Sequence, residues 1–342
     1  MPFTRPSRGD VHVNKPLTNI SIAFMQSTDA FVAAKVFPNI PVSKKSDVFF
    51  TYDRGEFNRD EMKERAPGTE SAGSGYDIAT DNYFARTRAL HKDISDEVRD
   101  NADNPINLDR EATLYLAGKA MIKREVTWNA AFFQSGDPGD TWTFDADGNA
   151  TASGAAFDPT DAANNQLLFW NQAASTPIED VRLLKRFVLE STGFMPNTLT
   201  LARGVFDVLI DHPDIVGRLD RGQTTGPALA TRESLAALFE VDEILVMDAI
   251  QNTAKEGQPA VHSFIGGKHA LLSYKPSAPG ILTPSAGYTF SWTGRVGASN
   301  EGMLIKRFRI EKEESDRVEI TMSYDQKLTS KDLGAFFGDI IE

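Results

Sequence analysis

One stretch constrains this chain more than any other. Asp47 to Phe133 reads as a long, charged, glycine-tipped hairpin that runs straight into one long helix. The outgoing arm starts with the strand-like Val48-Phe49-Phe50-Thr51-Tyr52. Charges of both signs follow: Asp53, Arg54, Glu56, Arg59, Asp60, Glu61, Lys63, Glu64 and Arg65. The tip spans Pro67-Gly68 through Gly73-Ser74-Gly75, and the chain returns from Tyr76 to Leu90. So charged a ribbon has little apolar surface to bury within its own subunit. It needs another surface to lie on, which points to an assembling protein. Asn107 or Asp109 then caps a helix to about Phe133, with Leu114, Ala117, Met121 and Trp128 at helical spacing. At about 1.5 Å per residue it is about 40 Å long, a structural spine.

The 342 residues allow one large or two ordinary domains with a real core. A net charge of −12 argues against a protein built to grip DNA, which is usually basic. With no cysteine, disulfides, zinc–thiolate sites, iron–sulfur clusters and cysteine nucleophiles are excluded. No run is apolar over the length needed to span a bilayer, and Met1-Pro2-Phe3-Thr4-Arg5-Pro6 lacks an apolar signal core. Residues 1 to about 45 read as an arm, broken by Pro2, Pro6 and Pro16, whose more apolar part from Ile20 to Phe37 should dock.

Beyond the spine, Ser135 to Asn165 reads as irregular loop with a short strand near Thr141 to Phe144. Thr176-Pro177-Ile178-Glu179 has the form of a capping box. The helix it opens carries the stripe Ile178, Val181, Leu184 and Val188 and stops at Gly193. Thr198–Leu201 is a strand, Gly204–Ile210 a helix ended by Pro213, and Arg221–Gly226 a polar loop. Thr231 caps a helix through Phe239, and Ile244–Met247 and His262–Ile265 read as strands. Tyr288, Phe290 and Trp292 alternate with Thr289, Ser291 and Thr293. Val318, Ile320, Met322 and Tyr324 alternate likewise, in a strand that pairs with Leu304–Ile310 across the turn Glu311–Arg317. The class is α+β, without regular βαβ alternation or an internal repeat.

Motifs that would carry chemistry are incomplete. His262 and His269 flank Gly266-Gly267 and would lie diagonally on one sheet face of a tight hairpin, but Ala260 and Leu271 supply no further ligand. His212-Pro213-Asp214 reads as a helix break. Asp145-Ala146-Asp147-Gly148-Asn149 suggests a calcium loop, yet Ala150 and Ala156 stand where glycine and glutamate are required, so a turn is expected. Gly73-Ser74-Gly75 and Gly266-Gly267-Lys268 are not phosphate loops. Arg8-Gly9-Asp10 and the sequons at Asn19 and Asn149 are short chance matches. No catalytic residue, cofactor or metal site is expected.

Several segments carry a family pattern in order. They are Arg65-Ala66-Pro67-Gly68-Thr69; Asp96-Glu97 through Asn101, Pro105 and Leu108 into Lys123-Arg124-Glu125; and Trp170 with Ser175–Val181. Gly193–Leu199, then Leu235–Phe239 with Val241–Val246, complete it. Together they resemble the major capsid proteins of tailed double-stranded DNA bacteriophages, the Hong Kong 97-type coat fold. The resemblance implies an N-terminal arm (1–46), an extended loop (47–93), a peripheral domain with the spine helix (94–175 and 301–342) and an axial domain (176–300). It implies self-assembly through pentamers and hexamers into an icosahedral virion shell, formed in the host bacterial cytoplasm. Its partners would be a portal protein, a separate scaffolding protein (the arm starts near Met1), a decoration or cement protein, and packaged DNA bound without sequence recognition. No membrane is involved.

On this view Arg54, Glu56, Arg59, Asp60, Glu61, Lys63, Glu64 and Arg65 contact neighbouring subunits. Arg5, Arg8 and Lys15 form a weakly DNA-facing arm. Lys63 matches the lysine that some members crosslink to a late asparagine, but no asparagine follows Asn300. The competing readings are an encapsulin-like nanocompartment shell and a soluble oligomeric hydrolase.

Overall fold

The computed structural model describes residues 25–52, 54–102, 107–134, 136–151, 156–220, 230–280, 283–295 and 298–342. Its elements begin with α1 (Ala33–Val36), β1 (Asn39–Val42), β2 (Ser46–Tyr52), α2 (Arg54–Phe57), β3 (Ile78–Phe84) and β4 (Arg86–Ser95). Next come α3 (Asp96–Asp100), the long α4 (Leu108–Phe132), β5 (Phe144–Asn149) and β6 (Gln166–Leu168). α5 (Pro177–Thr192), β7 (Thr198–Ala202), α6 (Arg203–Ile210), α7 (Pro213–Asp220), α8 (Arg232–Phe239) and β8 (Glu243–Met247) follow. The chain then runs through β9 (Ile250–Asn252), β10 (His262–Phe264), β11 (Ala270–Ser273), β12 (Gly287–Trp292), β13 (Met303–Ile310), β14 (Ser315–Leu328) and β15 (Gly334–Gly338).

The expected spine is α4. Asn107 caps it by accepting the Arg110 N–H at 3.0 Å on its side-chain oxygen. Its first half buries Ala112, Leu116 and Ala120 on Val318, Ile320, Met322 and Tyr324, which are the alternating apolar positions of β14. Leu114, assigned to the apolar stripe, is instead 43% exposed. The small Ala112 and Ala120 permit a close approach to the sheet, and that rotation turns Leu114 outward.

β14 organises this sheet, whose order is β1-β12-β14-β13, with β4 also paired to β14. β13 and β14 pair antiparallel from Met303↔Met322 to Ile310↔Ser315, as the alternation predicts. β4 occupies the other edge of the same stretch, from Arg86↔Tyr324 to Ser95↔Ser315. The return arm of the hairpin therefore continues directly into the sheet beneath the spine.

A second sheet, β6-β5-β15-β11-β7-β8, holds the larger core. α5 covers it with Ile178, Val181, Leu184 and Val188, all buried, and ends at Gly193, whose φ of 78° is left-handed. The Thr176–Glu179 capping box does not form: the Thr176 side chain makes no cap bond, and Glu179 pairs with Arg218. Thr231 does cap α8. Lys185, buried within α5, donates to the carbonyls of Phe239 at 3.1 Å and Glu240 at 2.6 Å, where α8 ends.

Residues 145–149 are not a turn. They lie in β5, parallel to β15, with Phe337 opposite Ala146. The segments 94–175 and 301–342 thus divide between the two sheets: α4 and β14 belong to the first, β5, β6 and β15 to the second.

The apolar part of the arm docks as its composition requires. Phe31, Val32, Ala33, Val36 and Phe37 are buried, and Phe37 packs edge-on against Trp128 at 5.8 Å. Gly287 admits this ring, since a Cβ there would lie 2.5 Å from Phe37. Glu125 of α4 fixes the start of α1 by accepting the N–H groups of Val32 at 3.1 Å and Ala33 at 3.0 Å. Glu125→Ala leaves both donors unpaired in a buried interface, at a cost of about 2–4 kcal/mol. The variant should melt several degrees lower and be cleaved faster by protease between residues 25 and 37. An unchanged melt would show that the arm docks through its apolar side chains alone.

Candidate assembly surfaces

β2 and β3 form the expected hairpin, in register from Ser46↔Phe84 to Tyr52↔Ile78. One face of its base packs on the body: Phe49 and Tyr83 stack on Phe290 at 5.3 and 4.6 Å. The Phe84 N–H also donates to Asp325 at 3.0 Å. The opposite face carries Val48, Phe50, Ile78 and Phe84, all exposed, with Phe50 at 63%. The hairpin therefore has more apolar surface than its charge suggests, and only the base of it is covered within the subunit.

Beyond the base, every residue from 62 to 82 is exposed. The tip turns at Gly68, whose φ of 81° needs no Cβ. Thr69 closes that turn with its N–H to the Ala66 carbonyl at 3.2 Å, and Arg65 donates to the Thr69 carbonyl. Met62, 95% exposed, is an apolar side chain set in the charged run. Halfway along, Tyr52, Phe57 and Tyr76 form a ring cluster, with Phe57 and Tyr76 5.3 Å apart.

The charged residues assigned to this loop are held only locally. Arg59 pairs with Glu61 at 3.5 Å, and Glu56 accepts the Asp77 N–H at 2.6 Å. Asp60, Lys63 and Glu64 make no ion pair among the described residues. The Arg54 side chain and the arm residues Arg5, Arg8 and Lys15 lie outside the described residues, as does the loop 221–226.

An open apolar groove of about 830 Å³ lies between the hairpin base and the body. Phe49, Phe50 and Phe57 line one side, and Phe194, Pro284 and Tyr288 the other. Sequence patterning could not show it, because its walls are brought together from five separate segments.

The histidines occupy unrelated places. β10 pairs with β9, whereas β11 pairs with β7 and β15, so His262 and His269 do not share the face of one hairpin. His269 packs against Phe133 and Phe336 and accepts the Asp339 N–H at 3.0 Å on Nδ1. Burial lowers its pKa. Among the described residues no three acidic or histidine side chains are grouped to hold a metal.

Ser175 Oγ lies 3.0 Å from His212 Nε2, but the arrangement is not that of a nucleophile and its base. His212 Nδ1 accepts the Asp214 N–H at 3.2 Å, which leaves the ring proton on Nε2. The Ser175 hydroxyl donates to the Gln172 carbonyl at 2.8 Å, and both side chains are buried. The pair staples the chain before α5. Nearby, the Trp170 indole donates to Asp180 at 3.0 Å, and burial pushes that carboxyl up to about 6.

No family model matches the sequence, and no curated protein does either. Solved structures do match, over nearly the whole chain. A phage-related protein from Bordetella bronchiseptica is 20% identical with a TM-score of 0.63, covering 92% of this chain and 94% of that one. The capsid of cyanophage P-SCSP1u is 13% identical, TM-score 0.54, covering 98% and 99%. The holo-SrpI encapsulin complex of Synechococcus elongatus is 10% identical, TM-score 0.53, covering 95% and 93%. The chain therefore has the Hong Kong 97-type coat fold, with mixed helix and strand.

Proposed function

We propose that the protein is a major capsid protein, building the icosahedral head shell of a tailed double-stranded DNA bacteriophage from pentamers and hexamers. The observation that carries this reading is the extended hairpin on a coat fold, with every residue from 62 to 82 exposed in the single subunit. A ribbon with exposed apolar side chains and locally held charges is stable only against another surface. Copies of one chain provide that surface repeatedly, and symmetric repetition closes a shell.

In this reading residues 1–46 are the arm, 47–93 the extended loop, 94–175 with 301–342 the peripheral part and 176–300 the axial part. Arg54, Glu56, Arg59, Asp60, Glu61, Lys63, Glu64 and Arg65 meet neighbouring subunits. A portal protein, a separate scaffolding protein and a decoration protein complete the head, which assembles in the host cytoplasm and holds its DNA without reading sequence. The chain acts as a structural component, not as an enzyme. Subunits hold each other by apolar contact, hydrogen bonds and interlocking loops, because the chain has no cysteine and no asparagine after Asn300.

Electron micrographs of purified native particles test this directly. The expected result is closed angular shells with one distinct vertex and DNA inside. The encapsulin likeness supports a second reading, a nanocompartment shell of the same fold. Small shells loaded with protein would favour that reading. A discrete small oligomer and no shells under any condition would refute both.

A further inference from the structure

The chain is acidic overall, at −12, yet one surface is not. β4 lies beside α4 because both flank β14, and their contact side by side is lined with cations. Arg86, Arg88 and Lys92 alternate along β4 and pair with Tyr324, Met322 and Val318, so they share the sheet face that α4 covers. Lys92 of β4 and Lys119 of α4 converge on Tyr115, each 5.6 Å from its ring centre. One step along, Arg88 and Arg124 converge on Tyr324, at 4.7 and 5.9 Å. Tyr115 is 49% exposed.

Among the described residues, Arg86, Arg88, Lys92 and Lys119 make no ion pair, and Arg124 has one, to Glu301 at 3.5 Å. Three nitrogens of Arg88 and Arg124 are buried, so these two supply field more than contact. Arg86, Lys92 and Lys119 reach the surface.

We infer that this β4–α4 stripe is a binding surface for the phosphate backbone of double-stranded DNA. The inference rests on the capsid reading for its biological setting, but not for its chemistry. A row of five cations with one ion pair among the described residues, Arg124 to Glu301, suits a partner whose negative charge is continuous, and duplex DNA carries one charge per about 1.7 Å of axis. Lys92 and Arg88 are four residues apart on β4, about 13 Å, so one face of a duplex spans both tyrosine-centred pairs. An acidic peptide is the competing partner, and poly-glutamate distinguishes it from duplex. The groove by the hairpin shares no residue with the stripe. Lysine and arginine on a strand-and-helix face suit phosphate contacts, which position without reading bases, so the binding proposed is independent of sequence. At physiological salt, charges beyond about 8 Å are screened, so the stripe acts locally despite the net charge of the chain.

The test uses free full-length subunits and a random-sequence duplex, followed by fluorescence anisotropy across a salt series. Two triple variants are compared: Arg86→Gln, Lys92→Gln, Lys119→Gln, and the same positions to Glu. A third variant carries Arg5→Gln, Arg8→Gln and Lys15→Gln. Wild type should bind at low salt with the same affinity for unrelated sequences. The stripe variants should lose about tenfold or more in affinity, and the slope of log affinity against log salt should fall by about 2–3, near 0.9 per lost phosphate contact. Circular dichroism confirms their folding, and the Gln set keeps the argument open to test if the Glu set misfolds. The inference is overturned if wild type does not bind, if the stripe variants keep the wild-type affinity and slope, or if the arm variant alone abolishes binding. Binding to poly-glutamate but not to duplex also overturns it, in favour of an acidic protein partner. Shell formation is scored separately by micrograph, so a failure of the capsid reading leaves the binding result interpretable.

Discussion

Subunits carrying Arg59→Glu with Arg65→Glu should fold with the wild-type melting temperature and yield shells at less than about a tenth of the wild-type level, a loss of about 1.4 kcal/mol in assembly. Within the subunit these side chains do little. Among the described residues Arg59 pairs only with Glu61, both in contact with solvent, and such pairs contribute about 0–1 kcal/mol. Arg65 donates to the Thr69 carbonyl and so orders the tip turn. Reversal removes that bond and changes the charge of the exposed ribbon by four units, from positive to negative at both positions. In the proposed assembly an acidic partner of either arginine would then meet a like charge at every repeated contact, which costs more than the lost attraction. Sedimentation on a gradient measures the shells, and thermal melting measures the subunit. Normal shell yield from the double variant would show that the tip charges are solvated ornament, and that the exposed Phe50, Ile78 and Met62 carry the contact instead.

Much of the fold could be read from periodicity where local pattern and tertiary packing agree. The stripe Ile178, Val181, Leu184 and Val188 is buried as spaced, and Gly193 ends the helix. The alternation in β14 and its pairing with β13 followed from period two. Reading failed where a distant partner decides. Asp145-Ala146-Asp147-Gly148-Asn149 has turn composition, but pairing with β15 nearly two hundred residues away makes it a strand. Leu114 lost its place to Ala112 and Ala120, because close approach of helix and sheet favoured small residues. The loop charges were visible as a run, but the local partners that hold Arg59 and Glu56, Glu61 and the Asp77 N–H, were not. The β4–α4 cations were invisible for the opposite reason. They are spread over 86–124 and become a surface only when β14 brings two elements side by side.

That same misread strand yields a large pH effect. Asp145 is 3% exposed, and its Oδ1 has no hydrogen-bond partner among the described residues. Burial pushes its pKa up from 3.8 to about 8, and repulsion from Asp147 adds to this, while a bond from the Ala146 backbone opposes it. Between those two values the folded chain keeps a proton that the unfolded chain releases, so stability falls as pH rises. The stabilising contribution is complete below about 3.8 and is lost as pH rises through about 8. The slope is at most about 1.4 kcal/mol per pH unit. Asp145→Asn has the same shape and cannot ionise. At pH 5 it should melt close to wild type, and at pH 8.5 it should be more stable by at least about 2 kcal/mol, a few degrees or more. Other titrating groups cancel in the difference between the two proteins. Measuring both in the Arg59→Glu, Arg65→Glu background keeps assembly out of the melt. A difference that does not change between pH 5 and 8.5 would mean that Asp145 is already ionised at pH 5, with water or a cation compensating the charge beside β5.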